Sequence, residues 1–311
     1  MLAYIVRRLA FAAFLVFAVS SGSLVLARLA PGDFVTQSVG LDVRRELVEQ
    51  TRARYGLNRS IGEQYRDWIA GAARLDFGRS LLFERPVADL IPEAARNTAI
   101  LAVTSLLVAT LVGLPLGVFT GSRRTGLVTV AIRTASLVLL SMPPLLMSLF
   151  LVFAASRTGW LPVGGMTSSS GGGLLRHLVV PVAALAMPLA AMFERLQSQA
   201  MSEVAGQPYV TATIGRGVPL SRVIWRDALK GALRPVAAVY GLIVGTLLSG
   251  SFAVETITAW PGLGQLTLAA MRARDVYLVA GCAAAGSTFL AIGTLMSDAA
   301  LALIDPRAAE R

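Results

Sequence analysis

Long apolar segments separated by polar, arginine-rich stretches dominate the sequence. A helix crosses the roughly 30 Å hydrocarbon layer of a bilayer with about 20 mostly apolar residues. Six segments of the chain approach or exceed that length. The pattern predicts an all-α, polytopic membrane protein with six transmembrane helices. The predicted spans are about Leu9–Leu29, Thr98–Thr120, Ala131–Ala155, Leu178–Phe193, Pro235–Val254 and Val276–Ile304.

The first apolar segment follows Arg7 and Arg8, an arrangement that also occurs in secretory signal peptides. It is long for a signal peptide, it lacks a clear small-residue cleavage site, and five more apolar segments follow it. We therefore expect it to be retained as the first span.

Prolines interrupt three consecutive predicted spans. A proline in a span deprives a carbonyl of its helical partner and bends the helix, which is tolerated where neighbours or a wet cavity satisfy that carbonyl. Two interpretations remain open: kinks that serve packing, and kinks that serve a pathway or a hinge. The prolines concerned are Pro115, Pro143, Pro144, Pro181 and Pro188.

The distribution of arginine predicts the orientation of the chain. An even number of spans places both termini on one side, and the short basic segments all fall on that side. The positive-inside rule makes it the cytoplasmic side. We expect a multi-pass protein of the cell membrane with both termini cytoplasmic. The basic positions are Arg7, Arg8, Arg123, Arg124, Arg133, the stretch Arg195–Arg234, Arg307 and Arg311.

These spans and loops predict the domain organisation. Residues 1–30 form the first transmembrane helix, and residues 31–95 form an extracytoplasmic segment with short helices. Residues 96–305 form a five-helix core that includes a cytoplasmic segment, 196–235, and residues 306–311 form a cytoplasmic tail.

Two external segments differ in character. The first, 31–95, has apolar anchors at partly helical spacing, which predicts short helices against the outer face. The second, Arg157–His177, contains the run Ser168–Gly173, which predicts a flexible loop tip. The anchors of the first segment are Leu47, Tyr55, Leu57, Tyr65, Trp68, Ile69, Leu75 and Phe77.

Composition supports the bilayer as the solvent. Hydrophobic residues make up 55% of the chain, charged residues 15%, and the mean hydropathy is +0.66. Soluble proteins are about a quarter charged. The net charge is +10, but the arginines are spread between apolar segments instead of forming a patch on a soluble domain. We therefore expect no nucleic-acid binding.

The residues needed for several kinds of catalysis are missing from the sequence. A phosphate-binding P-loop requires Gly-x-x-x-x-Gly-Lys-Ser/Thr, whereas the only lysine, Lys230, is followed by Gly231. His177 and Cys282 are single, so a metal site, an internal disulfide and a serine–histidine pair are not expected. The prediction is a protein that is not an enzyme and holds no cofactor or metal.

Charged residues inside spans usually mark ion pathways. Asp298 in the last span is the main candidate, and we place it near the cytoplasmic interface. Glu194 and Arg195 stand where the fourth predicted span ends. The lack of a charge placed securely at mid-span argues against a proton- or sodium-driven transporter. A secondary transporter or channel stays open as the alternative.

The cytoplasmic segment from Arg195 to Pro235 predicts a helix–glycine–helix element. Gly217 followed by Pro219 indicates a helix end, and Ser221 is a suitable N-cap for the next helix. Two interpretations are possible, a solvated surface helix and a docking element for a partner protein. The apolar side consists of Val223, Ile224 and Leu229, and the basic face of Arg222, Arg226 and Lys230.

Eight short motifs, in order along nearly the whole chain, resemble the permease subunit of dipeptide, oligopeptide and nickel ABC importers, specifically the first of its two permeases. They are Tyr4-Ile5-Val6-Arg7-Arg8-Leu9, Arg28-Leu29-Ala30-Pro31-Gly32-Asp33, Tyr55-Gly56-Leu57, Gln64-Tyr65 with Trp68, Asp76-Phe77-Gly78-Arg79-Ser80, Gly159-Trp160-Leu161-Pro162-Val163-Gly164-Gly165, Glu255 with Trp260-Pro261-Gly262-Leu263-Gly264, and Ile304-Asp305-Pro306-Arg307.

In that family a cytoplasmic Glu-Ala-Ala motif followed by glycine forms the coupling helix that fits a groove of the ATPase. The resemblance places the motif at Thr211-Ala212-Thr213, where Ala212 and the later Gly217 agree with it. The resemblance and the basic face together predict ATPase coupling by Thr211, Ala212, Gly217, Arg222 and Arg226. The chain departs from the family at Ile214, Gly215, Asp227 and Gly231, which admits a specialised partner.

The resemblance also implies the assembly and its cargo. A type I ABC importer permease pairs with a second homologous permease, two ABC ATPases and an extracytoplasmic substrate-binding protein in the bilayer, and moves its cargo by alternating access. Peptides are the expected cargo, with nickel, haem-like or sugar-like cargo left open. The loop with Trp260, Pro261, Gly262 and Gly264 is expected to serve docking of the binding protein or gating. Pro115, Pro143, Pro144 and Pro188 are expected along the pathway.

Overall fold

A computed structural model describes residues 2–32, 34–39, 49–50, 52–53, 55–123, 125–166 and 171–304. Over these ranges the chain is helical, and its only β pairing is an isolated bridge between Arg79 and Pro86, which confirms the all-α prediction. The helices are α1 (Leu2–Leu29), α2 (Phe34–Val39), α3 (Ile61–Ala72), α4 (Val87–Ser122), α5 (Leu127–Leu140), α6 (Pro144–Thr158), α7 (Gly171–Ala205), α8 (Pro208–Gly215), α9 (Leu220–Arg222), α10 (Leu229–Ala232), α11 (Arg234–Ile257), α12 (Leu263–Ala273) and α13 (Val276–Ile304), with a π-helical segment at Val223–Ala228 between α9 and α10.

Four helices of the described chain are long and apolar enough to cross a membrane, and the count reaches five if α5 and α6 form one span. The predicted count of six is therefore not confirmed. The remaining predicted segment does fold as a helix, α11, but it is not among the candidates in the residues that could be searched. The four are Val6–Leu29, Val87–Ser122, Gly173–Ala205 and Val276–Met296.

The third predicted span, Ala131–Ala155, is broken. Helices α5 and α6 meet at an angle of 104°, where a single kinked helix was expected. A residue that precedes a proline is driven out of the helical region, and Pro143 accordingly has an extended ψ of 146°. Pro144 then takes the first position of α6, where its missing N–H costs no hydrogen bond. Two adjacent prolines thus end one helix and start another.

Contacts divide the chain into two compact units. The first unit comprises Met1–Thr98 and Pro261–Ala291, and the second comprises Ala99–Trp260 and Ile292–Arg311. The domain boundaries predicted from the sequence remain a prediction.

The first unit contains a short helix within residues 31–95, as the sequence predicts. Helix α3 starts with a capping box in which the Ser60 hydroxyl accepts from the Glu63 N–H and the Glu63 carboxylate accepts from the Ser60 N–H. Trp68 is buried against Leu24 of α1 and Ala280 of α13. Leu75 is not an anchor, because it is 74% exposed in a left-handed turn with φ of 62°. Leu47 lies outside the described residues.

A buried carboxylate joins two parts of the first unit that are distant in sequence. Asp275, fully buried, accepts from the Ser80 hydroxyl at 2.6 Å and from the backbone N–H of Leu82 at 3.0 Å. These bonds satisfy a charge that would be costly to bury alone. They hold the loop that precedes α4 to the start of α13.

The second unit is built around α7, whose buried face contacts α5, α6, α10 and α11. Phe193 of α7 stacks on Tyr240 of α11 with ring centroids 5.2 Å apart. The Tyr240 hydroxyl in turn hydrogen-bonds the Thr110 hydroxyl of α4. The glycines Gly171–Gly173, expected in a loop tip, begin α7, while Ser168–Ser170 lie outside the described residues.

Three glycines spaced four residues apart let α4 and α7 touch backbone to backbone. A Cβ atom built on Gly113 would lie 2.5 Å from the Ala190 carbonyl oxygen, one on Gly117 2.6 Å from that of Glu194, and one on Gly121 2.5 Å from that of Ser198. No real Cβ atom tolerates such a distance, so only glycine fits. This glycine seam is the small-xxx-small packing typical of membrane helices.

The seam predicts that Gly117→Ala destabilises the protein, because the added methyl group meets backbone that cannot rotate away. We expect a loss of about 1–3 kcal/mol, the usual cost of overpacking. The measurement is the midpoint of thermal aggregation of the purified protein in mild detergent.

Gly286→Ala is the matched control, since a Cβ there meets nothing within 4 Å. In a helix interior this change is expected to be neutral or slightly stabilising. Equal midpoints for the two variants would contradict the seam.

Candidate coupling and docking sites

The segment 196–235, which the sequence predicts to be cytoplasmic, continues directly from the end of α7. The predicted fourth span ended at Phe193, but the helix continues to Ala205 and buries Glu194 inside it. After the turn at Gly206 and Gln207, α8 begins with Pro208 at its first position. The element is thus an extension of a candidate span and not a detached loop.

A small hydrophobic cluster seats this element on the ends of α4 and α7. Val210, Val223, Ala228 and Ala232 pack with Val118 of α4 and with Ala200 and Met201 of α7. Ile224 and Leu229 pack against the cluster, which confirms the predicted apolar side. The position of the segment is therefore tied to the two helices that the glycine seam joins.

Gly217 ends α8, as the sequence predicts. Its φ is +79°, and its N–H donates to the Ile214 carbonyl at 2.9 Å. The left-handed conformation favours glycine because it has no Cβ. Ser221 is not the N-cap: the next helix starts at Leu220, Pro219 takes the cap position, and no side-chain capping bond forms. The helix therefore begins two residues earlier than expected.

The helix that carries the basic face is not a regular α-helix. Residues Val223–Ala228 form a π-helical segment, and the N–H of Leu229 donates to the carbonyl of Ile224, five residues earlier. Segments of this kind are rare and often lie at functional sites. Arg222, Arg226 and Lys230 are all exposed, as the prediction of a basic face requires.

Helix α8, helix α9 and the π-helical segment also expose large apolar side chains, which the sequence pattern did not predict. Trp225 is 53% exposed, and Tyr209, Ile214 and Leu220 are exposed to a similar degree. The motif residues Thr211 and Ala212 of α8 are exposed as well. The signal that could have found them is the presence of large apolar residues in an otherwise polar segment. Exposed apolar side chains beside arginines are the usual composition of a protein interface.

A buried polar cluster lies just before this element in α7. Glu194, only 2% exposed, accepts from the Thr120 hydroxyl at 2.5 Å, and Arg133 donates to the Thr120 carbonyl at 2.8 Å. Contrary to expectation, an ionisable group is thus buried within a candidate span. A cavity of about 390 Å³ borders Glu194, Arg133 and Arg195. Asp298, the expected intramembrane charge, has a side chain outside the described part.

The loop residues expected to serve docking or gating are mostly buried. Trp260 is fully buried in the core of the second unit, and its N–H donates to the Glu255 carbonyl. In the first unit, Asn97 donates to the Pro261 carbonyl at 2.8 Å. Gly262 and Gly264 are buried. Their burial favours a role in holding the loop over a role as contact surface.

The prolines that are expected along the pathway lie in different structural contexts. Pro115 lies between Gly113 and Gly117 in α4, and Pro188 lies inside α7; both helices remain continuous. Pro143 and Pro144 make the break between α5 and α6. Whether any of them lines a pathway stays a prediction.

Among the described residues no group of three or more histidine, cysteine or acidic side chains is placed to hold a metal. His177 lies in the second turn of α7, with Nδ1 2.7 Å from the Gly173 carbonyl oxygen. Cys282 is buried in α13.

Two family models match the chain. The one described as "Binding-protein-dependent transport system inner membrane component" matches residues 113–310. The one described as "Binding-prot-dependent transport system membrane comp, N-term" matches residues 1–82. The two matches lie in the order and the positions that the sequence motifs indicate.

Named relatives are similar over their full length. The oligopeptide transport system permease protein AppB of Bacillus subtilis (strain 168) is 30% identical over 99% of both chains. The di/tripeptide transport system permease protein DppB of Pseudomonas aeruginosa (strain UCBPP-PA14) is 31% identical over 99% of this chain and 98% of its own. The glutathione transport system permease protein GsiC of Shigella flexneri serotype 5b (strain 8401) is 28% identical over 98% of both.

The geometry at Gly217 predicts a selective effect of Gly217→Ala. A Cβ on Gly217 meets nothing within 4 Å, so the cost comes only from the left-handed backbone, about 1 kcal/mol. We expect faster amide hydrogen exchange across 208–232, with exchange in α4 unchanged.

Gly215→Ala is the control, because Gly215 also has open space around its Cβ but ends a right-handed helix. It should leave exchange unchanged or slow it. The same acceleration in both variants would show that φ at Gly217 is not the cause.

Proposed function

The chain belongs to the family of binding-protein-dependent transport system inner membrane components, and on that premise we propose that it carries peptides into the cell as the permease subunit of an ATP-driven importer. The peptide cargo is supported by full-length relatives named as peptide permeases. The energy comes from partner ATPases, so this subunit has no catalytic role of its own.

The observation that carries the proposal is the cytoplasmic element of α8, α9 and the π-helical segment. It presents exposed Trp225 and Leu220 beside Arg222 and Arg226, while its inner side is packed on α4 and α7. An ATPase that binds the outer side of this element would move the ends of α4 and α7 together. The proposed ATPase contacts are Thr211, Ala212, Gly217, Arg222 and Arg226.

Coupling then takes the form of a rigid-body transition. ATP binding closes the two ATPases, and the cytoplasmic element bound to them moves with them. The helices α4 and α7 then transmit this motion into the membrane. The glycine seam supports this route, because two backbones in contact cannot slide apart without losing their packing. Alternating access follows when the same motion occurs in a second, homologous permease.

We further propose the remaining partners and the topology. Both termini lie in the cytoplasm, and an extracytoplasmic binding protein delivers the cargo. The loop with Trp260, Pro261, Gly262 and Gly264 acts in docking or gating, and the burial of Trp260, Gly262 and Gly264 favours gating. Asn97 and Thr98 support this role by hydrogen bonds to Pro261 and Leu263 that fix the loop backbone.

The buried Glu194 favours one alternative, a transporter driven by an ion gradient. Proteoliposomes that contain the assembled complex distinguish the two. Uptake of labelled peptide should require ATP and persist when a protonophore and a sodium ionophore collapse the gradients. Uptake that stops with the gradients in the presence of ATP would favour the alternative.

Association with ATPases is tested by purification. A tagged chain, extracted in mild detergent from its native host, should retain a second permease and P-loop ATPases. If no ATPase co-purifies under conditions that keep the second permease bound, the importer proposal fails.

Charge reversal tests the coupling surface. The double variant Arg222→Glu/Arg226→Glu should insert into the membrane normally, but its rate of ATP-dependent uptake should fall by at least about tenfold. The reason is that negative side chains would then face a partner groove that fits arginine. ATP hydrolysis should no longer respond to loaded binding protein.

Arg66→Glu is the control, an exposed arginine on α3 outside the cytoplasmic element. It should retain normal uptake. Unchanged uptake in the double variant would refute the role of this basic face.

A further inference from the structure

A cavity of about 750 Å³ lies in the first unit, between the end of α1, helix α12 and the start of α13. It is separate from the cytoplasmic element and from the Trp260 loop. It lies at the C-terminal end of one candidate span, Val6–Leu29, and at the N-terminal end of another, Val276–Met296. At the ends of spans the hydrocarbon layer borders the lipid headgroups.

The walls of this cavity are mainly apolar. Leu26 and Ala27 of α1 face Met271 of α12 and Val279 and Ala283 of α13 across it. Leu26 is 70% exposed and Met271 56%, although both stand beside apolar spans. Side chains of this kind at the end of a span have hydrocarbon as their natural contact.

Among the residues that the structure describes, the charged side chains that line the cavity are basic. Arg272 and Arg274 line it, and no acidic side chain does so among the described residues. The guanidinium of Arg274 lies across Gly32, where a Cβ would be 3.1 Å from its Nη1 atom. Neither guanidinium forms a hydrogen bond or ion pair with another described residue. Two arginines beside an apolar cavity therefore suit a ligand that combines an anionic group with an apolar body.

We infer that this cavity binds an anionic phospholipid, with the phosphate between Arg272 and Arg274 and an acyl chain along Ala27 and Ala283. Guanidinium groups match phosphate oxygens in pairs of hydrogen bonds. Basic pockets between membrane helices are recognised sites for acidic headgroups. Under the proposed topology the leaflet is the extracytoplasmic one, but the lipid chemistry depends neither on that assignment nor on the cargo.

The test is the thermal midpoint of the purified complex in detergent, titrated with phosphatidylglycerol, phosphatidylcholine or inorganic phosphate. Phosphatidylglycerol should raise the midpoint more than phosphatidylcholine, because a ligand stabilises the state it binds. The double variant Arg272→Gln/Arg274→Gln should weaken the apparent affinity for phosphatidylglycerol by roughly 25-fold, from about fivefold per arginine.

Two controls separate the contributions. Arg66→Gln removes an exposed arginine of α3 outside the cavity and should leave the titration unchanged. Ala27→Phe fills the apolar part and should weaken phosphatidylglycerol binding while both arginines remain. Should Ala27→Phe fold poorly, photoactivatable phosphatidylglycerol on the unchanged chain should cross-link within 267–283.

Several outcomes would overturn the inference. Equal effects of phosphatidylglycerol and phosphatidylcholine would remove the role of charge, and an equal effect of inorganic phosphate would reduce the cavity to an ion site. A cross-link elsewhere in the chain, or a double variant that titrates like Arg66→Gln, would exclude these arginines. Cross-linking of 267–283 to the second permease in place of lipid would assign the cavity to that subunit.

Discussion

The contact of two helix backbones at Gly113, Gly117 and Gly121 is the constraint on which the second unit depends. Inside a bilayer, apolar side chains gain little by leaving lipid for one another, so close van der Waals packing has to replace the hydrophobic drive. The seam fixes α4 against α7, and α7 in turn contacts α5, α6, α10 and α11. The element of α8, α9 and the π-helical segment packs on the same two helices. A change at the seam would therefore affect both the packing of the second unit and the position of this element.

Local chemistry determined those features that the sequence predicted well. Apolar length predicted most of the spans, and the glycine at 217 predicted the end of α8. The pair Pro143 and Pro144 predicted a kink, but the structure has a full break at this point. Each of these features rests on residues close together in sequence. The glycine seam is equally visible in the sequence, as a four-residue repeat in an apolar segment that also contains Pro115.

The features that were missed depend on neighbours distant in sequence. Trp260 resembles an exposed docking residue but is buried by packing with the core of the second unit. Glu194 resembles the end of a span, but α7 continues because Val210 and Val223 give its extension a surface on which to pack. Leu75 is apolar, yet the turn that holds it points it outward. For Trp260 and Glu194 burial depends on a packing partner, and for Leu75 exposure depends on a left-handed turn; periodicity alone reveals neither.

The π-helical segment Val223–Ala228 has a consequence for how sequences of this element can vary in length. Each residue of an α-helix turns the chain by about 100°. A π-helical turn takes about one residue more than an α-helical turn. Deleting one residue between 223 and 228 would therefore relax the segment into a regular helix and leave Arg222 and Gly217 in nearly the same direction relative to α11, whereas a deletion elsewhere between Gly217 and Pro235 would rotate them by that angle. We expect relatives that differ by one residue in the length of this element to carry the difference within 223–228.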